Sequence, residues 1–303
     1  MLLGDPATPC LTMHPLTEPL AKRLAAPPGD RVEIHWLGQA GFVLDGAGRR
    51  VVIDPYLSDC LAAKYRGTAF DHSRMMAAPV RPDQIGFVDL VLASHAHSDH
   101  CDPGTLPGLL AANPAARLVA PEACREVALA RGSIGAERFV GLDAGRTYQA
   151  GPLRLAAVRA AHETLATDAA GHHLFLGYGI GLGRTVVFHS GDTVPFTGQV
   201  AEVAALGAAL ALLPVNGRRP ELTAAGIAGN LTLSEAVALA RDARIPAMIG
   251  HHFGMFAFNT LSGAEVEIDC AARAAGPLSV MAARVDRTYL LATDNNGTPA
   301  RDE

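Results

Sequence analysis

The stretch Val88-Asp89-Leu90-Val91-Leu92-Ala93-Ser94-His95-Ala96-His97-Ser98-Asp99-His100 decides how the rest of this chain is read. Val88–Ala93 has the apolar character of a short strand buried on both faces. It breaks off into His95, His97, Asp99 and His100, four groups within six residues. Imidazole nitrogen and carboxylate oxygen are donors that zinc, manganese and iron accept. A chain turning through four such residues points them in different directions, so one ion does not suit them all. Two neighbouring ions do, with His95 and His97 on one and Asp99 and His100 on the other. The plain alternative is a histidine-rich surface loop, and the position directly after a buried strand argues against it.

Two-metal hydrolases hold their ions ~3.5–4 Å apart, bridged by a water-derived hydroxide and often a carboxylate. Further donors are therefore expected at later strand ends. His162 follows the run Leu153–Ala161, and Asp192 lies in His189-Ser190-Gly191-Asp192-Thr193 after Thr185–Phe188. His251 and His252 follow Ile245–Ile249.

Around these points strand and helix signals alternate. Residues 1–30 hold six prolines and read as an irregular arm with one short helix near Leu16–Leu24. Residues 31–303 read as a single domain in two similar halves, roughly 31–150 and 151–303. Arg31–Trp36, Gly41–Leu44 and Arg50–Ile53 are strand-like and separated by glycine turns. The polar segment Pro55–Asp83 is longer than an ordinary connection and reads as a cap over the site. Strand signals at Arg117–Ala120 and Phe139–Leu142 alternate with helix signals at Pro103–Ala112 and Pro121–Arg131. The second half repeats the pattern, with strands at Leu153–Ala160, His173–Ile180, Arg184–Phe188 and Ala209–Val215. Its helices are read at Gly198–Leu206, Ser234–Ala243 and Gly263–Ala275, with Ser234 and Glu235 marking a helix start. Alternation in both halves implies an α/β fold of two sheets packed face to face with helices outside.

With 303 residues, 49% hydrophobic, the chain can bury a large core. A net charge of -5 gives no basic footprint, so nucleic acid is not expected as a partner. The longest apolar run, Val203–Val215, is too short to span a bilayer, so no membrane insertion is expected. The first ten residues, MLLGDPATPC, do not form a signal peptide, and the five scattered cysteines show no disulfide framework. A cytoplasmic location follows as the expectation, and a homo-oligomer is expected.

SHAHSDH resembles the H-x-H-x-D-H motif of the metallo-β-lactamase superfamily, and HSGDT resembles that superfamily's bridging-aspartate motif. The similarity runs from about Val32 to about Thr288. WLGQAGFVLD, VVIDPYLSD, RMMAAPVRP, LLPVNGR and HHFGMFAFN look most like the L-ascorbate-6-phosphate lactonase branch. The resemblance implies an αββα sandwich of two mixed sheets with metals at their joined edges. It assigns His95, His97 and His162 to a first ion and Asp99, His100 and His252 to a second, with Asp192 bridging both. His252 is preferred to His251 because it stands just before the Phe253-Gly254-Met255-Phe256 turn. Asp54, in Val-Val-Ile-Asp-Pro, falls where the superfamily keeps a carboxylate that orients a ligating histidine. His189 is placed to hydrogen-bond near the metals. Asn216 and Arg218 are candidates to orient the substrate, with Arg74 and Arg81 weaker ones.

The function implied is hydrolysis by a metal-bridged hydroxide, with Asp99 as proton shuttle and Asp192 holding both ions. The cofactors expected are two divalent ions, zinc or manganese, with iron also accepted. The substrate expected is a lactone or ester of a small molecule, phosphorylated ones included. A phosphodiesterase of the phospholipase D-like type is the main alternative. A redox diiron protein is disfavoured because those relatives resemble H-x-E-x-D, with Glu where this chain has His97. A non-catalytic binding protein is disfavoured because no ligand position is lost.

Overall fold

Leu90, Val91 and Leu92 are all apolar because this strand divides its side chains between two layers. Leu90 and Leu92 enter the core between two β-sheets, while Val91 joins a second core beneath helices. Val51, Val52 and Ile53 of the neighbouring strand alternate in the same way. The computed structural model describes residues 10–273 and 277–292. The proposed arm's residues 1–9 and the extreme C-terminus lie outside the described residues.

The first sheet has eight strands. In chain order they are β1 (Cys10–Pro15), β2 (Val32–Gly38), β3 (Gly41–Gly46), β4 (Arg49–Ile53), β5 (Leu90–Leu92), β6 (Arg117–Pro121) and β7 (Phe139–Leu142). The eighth is the last strand of the chain, β15 (Arg287–Ala292), which lies between β1 and β2. The second sheet holds β8 (Thr147–Ala150), β9 (Leu153–Arg159), β10 (Leu176–Leu182), β11 (Thr185–His189), β12 (Leu210–Pro214), β13 (Ala247–His251) and β14 (Ser279–Ala282). Each sheet runs antiparallel and then parallel: β2–β3–β4 leads into β5, β6 and β7, and β9–β10–β11 leads into β12, β13 and β14. These are the two mixed sheets of an αββα sandwich. The sheets exchange strands across residue 150, since β8 belongs to the second and β15 returns to the first.

The inter-sheet core joins Trp36, Phe42 and Leu92 to Tyr178, Phe188 and Ile249. Helices α1 (Leu20–Leu24), α3 (Leu106–Ala112) and α4 (Arg125–Gly132) flank the first sheet, burying Leu24, Leu109 and Ala128. Helix α2 (Cys60–Lys64) lies inside the Pro55–Asp83 segment. Helices α5 (Gln199–Ala204), α6 (Pro220–Ala224), α7 (Leu233–Asp242) and α8 (Gly263–Arg273) follow in the second half. Among the described residues, no helix is long and apolar enough to cross a membrane.

Two local expectations need correction. Residues 10–15 are not irregular: β1 pairs antiparallel with β15 along all six residues. Only Leu11 of β1 is buried, so no two-residue periodicity signals the strand. Helix α7 is capped by Thr232 rather than Ser234, because Thr232 Oγ1 accepts from Glu235 N while the Glu235 carboxylate accepts from Thr232 N.

Candidate metal centre

The catalytic residue types collect where parallel strands end at one joined edge of the sandwich. Asp54 follows β4, His95 to His100 follow β5, Asp192 follows β11, and His252 follows β13. His162 comes from the end of β9. In open α/β sheets these carboxyl ends are where backbone leaves the ladder and side chains are free to converge.

The convergence is quantitative. His95, His97 and His162 each offer one nitrogen, all within 4.8 Å of one another. Asp99, His100 and His252 form a second such group, and His95, His100 and Asp192 a third. Asp192 lies between the first two, its carboxylate 3.3 Å from His100 Nε2, 3.3 Å from His252 Nε2 and 3.8 Å from His162 Nε2.

Neighbouring groups set which imidazole nitrogen is free. Asp54 accepts from Ser94 N at 2.7 Å, from Ser94 Oγ at 2.6 Å and from His100 Nδ1 at 2.7 Å. With its proton given to Asp54, Ser94 Oγ accepts from His95 Nδ1 at 3.0 Å. One carboxylate thus fixes two tautomers, leaving the Nε2 lone pairs of His95 and His100 aimed at the site. Asp54 sits at φ 46°, a strained value for a residue with a side chain. His252 is likewise at φ 66°, its backbone N–H bonded to Gln39 O at 3.0 Å.

The loop carrying Asp192 is fixed by close approach. At Gly191, φ is +60° and a Cβ would stand 2.7 Å from Ser94 Cβ and 2.8 Å from Leu176 O, so only glycine fits. Thr193 Oγ1 accepts from Ala161 N at 3.1 Å, tying this loop to the backbone beside His162.

Charge is balanced for a cation. Burial pushes the His100 imidazole down, but Asp192, Asp54 and Asp99 outweigh it and hold it well above the ordinary histidine range. Burial likewise pushes Asp192 up, and His252 and His100 together overcome it and hold the carboxylate well below its usual range. Nε2 of His95, Nε2 of His100 and Oδ1 of Asp192, all buried, have no hydrogen-bond partner among the described residues. Burying several unpaired polar atoms side by side is costly unless a cation completes them. These residues fit a pair of divalent ions.

The remaining candidates separate. Asp54 touches a donor histidine directly. His189 does not: its Nε2 donates to Ala40 O at 2.9 Å and its Nδ1 accepts from Gly191 N at 3.1 Å, so it braces the Asp192 loop through backbone. His251 is buried, stacked on His189 at 5.1 Å, and belongs to no donor group. Asn216 and Arg218 do not line the cavity over the donors. Asn216 spends its amide on Asn259 and Asn230, while Arg218 pairs with Glu235 at the start of α7. Arg74 is held by the carbonyls of Tyr56, Ser58 and Met76, and Arg81 pairs with Asp83 at the surface.

Three positions that line the cavity were not singled out from the sequence, although Gln39 lies within the quoted WLGQAGFVLD. Gln39 Nε2 donates to Asp99 Oδ2 at 2.9 Å and stands 3.2 Å from His252 Nε2. The signal for it was the turn Gly38-Gln39, which needs a left-handed residue and holds Gln39 at φ 49°. Lys64 and His72 line the cavity, carried there by the Pro55–Asp83 segment, which forms a wall over the donors as its length suggested.

The chain matches the family profile described as the β-lactamase superfamily domain over residues 49–253, a span holding all seven donors. It is 30% identical to the UPF0173 metal-dependent hydrolase of Aeropyrum pernix, over 61% of this chain and 71% of that protein. A UPF0173 metal-dependent hydrolase of Myxococcus xanthus is 27% identical over 84% of this chain and 82% of its own length. In fold, the chain is similar to the isothiocyanate hydrolase from Delia radicum gut bacteria, with a TM-score of 0.63 at 18% identity, covering 84% of this chain and 97% of that one. By sequence profile and by architecture, the chain belongs to the metallo-β-lactamase superfamily.

Proposed function

We propose that this protein is a hydrolase that uses two divalent ions to cleave a lactone or carboxylic ester of a small anionic metabolite, phosphorylated ones included. The observation that carries the reading is Asp192 standing between two donor groups on the floor of one cavity of about 260 Å³. That volume suits a small molecule. His95, His97 and His162 would hold one ion, Asp99, His100 and His252 the other, and Asp192 would serve both. The donors are nitrogen and oxygen with no thiolate, which suits zinc or manganese and also accepts iron.

Bound there, the ions supply a hydroxide-like nucleophile at neutral pH and Lewis acidity toward the oxygen that gains charge. The chain's own residues do the rest. Asp54 and Gln39 fix the orientation of the donors, so little reorganisation is left for the reaction itself. Asp99 is the more open of the two donor carboxylates, with 17% of its side chain exposed against 5% for Asp192. It is therefore the group placed to take the proton from the attacking water and return it to the leaving group. Lys64 and Arg131 on the cavity wall draw in an anionic substrate. The five cysteines are all free, which suits action in the reducing cytoplasm.

The same two cations favour phosphodiester hydrolysis as the competing reading. The test is a lactone series beside bis(p-nitrophenyl) phosphate, with protein reconstituted in turn with zinc and manganese. Metal-dependent turnover of lactones is expected. Cleavage of the phosphodiester with every lactone inert would reverse the ranking.

A further inference from the structure

His72 has no part in holding the ions, yet it faces the cavity that contains them, together with His97, Asp99, His162, Asp192 and His252. Its ring is locked on every side. It stacks on Tyr65 at 4.2 Å between centroids and meets Phe256 at 4.8 Å and Phe258 at 4.7 Å. Its Nδ1 lies 2.7 Å from Phe70 O, and a carbonyl only accepts, so Nδ1 carries a proton. Nε2 has no partner among the described residues and is not fully buried, so it stays open. Burial pushes the imidazole below the ordinary histidine range, which keeps it neutral near pH 7. A neutral ring with its proton on Nδ1 presents a lone pair at Nε2.

The other polar groups of the wall differ in kind. Lys64 and Arg131 only donate, Asn259 Oδ1 accepts from Asn216 Nδ2 at 3.4 Å, Tyr65 and Ser98 carry rotatable hydroxyls, and Gln39 turns its amide N–H to Asp99. Asp99 and Asp192 stand among the candidate metal donors, and Asp99 Oδ2 already accepts from Gln39 Nε2 at 2.9 Å. His72 therefore adds a rigid acceptor, its ring fixed by three aromatic neighbours, to a wall whose other neutral polar groups are amides and rotatable hydroxyls.

We propose that His72 is a specificity-determining residue whose Nε2 accepts a hydrogen bond from a hydroxyl or N–H group of the substrate. The preferred substrate is then an ester or lactone that carries such a donor near its scissile carbonyl. This rests on the hydrolase reading above and goes beyond it by naming what the wall selects.

The experiment uses zinc-loaded protein and a matched pair, α-hydroxy-γ-butyrolactone and γ-butyrolactone. The wild type should prefer the hydroxylated member in kcat/KM by about tenfold, the scale of one neutral hydrogen bond. His72→Phe keeps the ring packing but removes the acceptor, so the ratio should fall to about one. His72→Gln supplies an acceptor oxygen and should restore part of the preference, an outcome that a purely structural role would not produce. Zinc content measured in each variant shows that the centre is intact. Calorimetry measures the same pair as ligands, which separates this proposal from the hydrolase reading. If neither lactone turns over, that reading fails, while tighter binding of the hydroxylated member still supports the role of His72. Equal or undetectable binding of the pair by the wild type, or a preference that survives in His72→Phe, overturns it.

Discussion

The two donor groups are built to different standards. In the group of Asp99, His100 and His252, two members have an orienting partner: Asp99 accepts from the Gln39 amide, and His100 is bonded to Asp54. In the other group only His95 is steered, through Ser94. His97 is exposed, and His162 Nδ1, like His252 Nδ1, has no hydrogen-bond partner among the described residues. A donor already held in its binding orientation loses less freedom on meeting an ion, so the pinned group should bind more tightly. It also contributes Asp99, a full negative charge, where its counterpart has three neutral rings. On the two-ion proposal, the expectation is that one ion is held firmly and the other exchanges.

The largest effect should come from the residue both groups share. Asp192→Ala removes the common carboxylate, and both ions should weaken together with activity falling roughly a thousandfold or more. Elemental analysis and turnover on one preparation check this. Retention of full activity by a metal-poor Asp192→Ala protein would break the account.

Asp54→Ala is aimed at the pinned group. It frees His100 and leaves Ser94 and two imidazoles without their orienting acceptor, and metal affinity should drop about 10–100-fold. Because Ser94 also steers His95, the exchangeable ion should weaken too, but less. Competition titrations with a chelating dye resolve the two steps. Equal losses at both would erase the distinction.

Gln39→Met should produce a smaller and cleaner change. It removes the amide shared by Asp99 and His252 while touching nothing in the other group. Affinity for the tighter ion should fall about three- to tenfold, the scale of one ordinary hydrogen bond, with the weaker ion unmoved.

The smallest effect concerns stability, with His35 as a buried imidazole that no cation completes. Burial lowers it to about 4, whereas the unfolded chain takes up a proton near the ordinary value of about 6.5. The unfolded state therefore gains the proton first, and stability is lost as pH falls from about 6.5 towards about 4. Above that window His35 adds no pH dependence. The slope amounts to at most ~1.4 kcal/mol per pH unit. His35→Asn should flatten the acid limb of denaturant midpoints by up to one proton, and an unchanged limb would refute the assignment.

How much of this was legible in the sequence depends on whether one segment carries the signal. The run from Val88 to His100 contains both a buried strand and four donors, so the centre could be read locally. Asp192 and His252 were legible because each also follows a strand. Asp54 was placed by resemblance, and its bonds to Ser94 and His100 give that placement a physical reason. Gln39 and His72 were not legible, since they reach the site from a turn and a long connection that only tertiary packing positions. Asn216 and Arg218 misled for the opposite reason. They follow β12 at the correct edge, yet Glu235 lies close enough to claim the arginine. Strand β1 was missed because β15, its partner, lies 272 or more residues later in the chain.

The central claim is that Asp192 joins two ions of unequal hold, and anomalous diffraction at the zinc edge tests it most directly. Zinc-loaded crystals should show two peaks beside Asp192, one among His95, His97 and His162 and one among Asp99, His100 and His252. After brief exposure to chelator, the second should persist when the first has faded. A single peak, peaks away from these donors, or survival of the first alone would contradict the account.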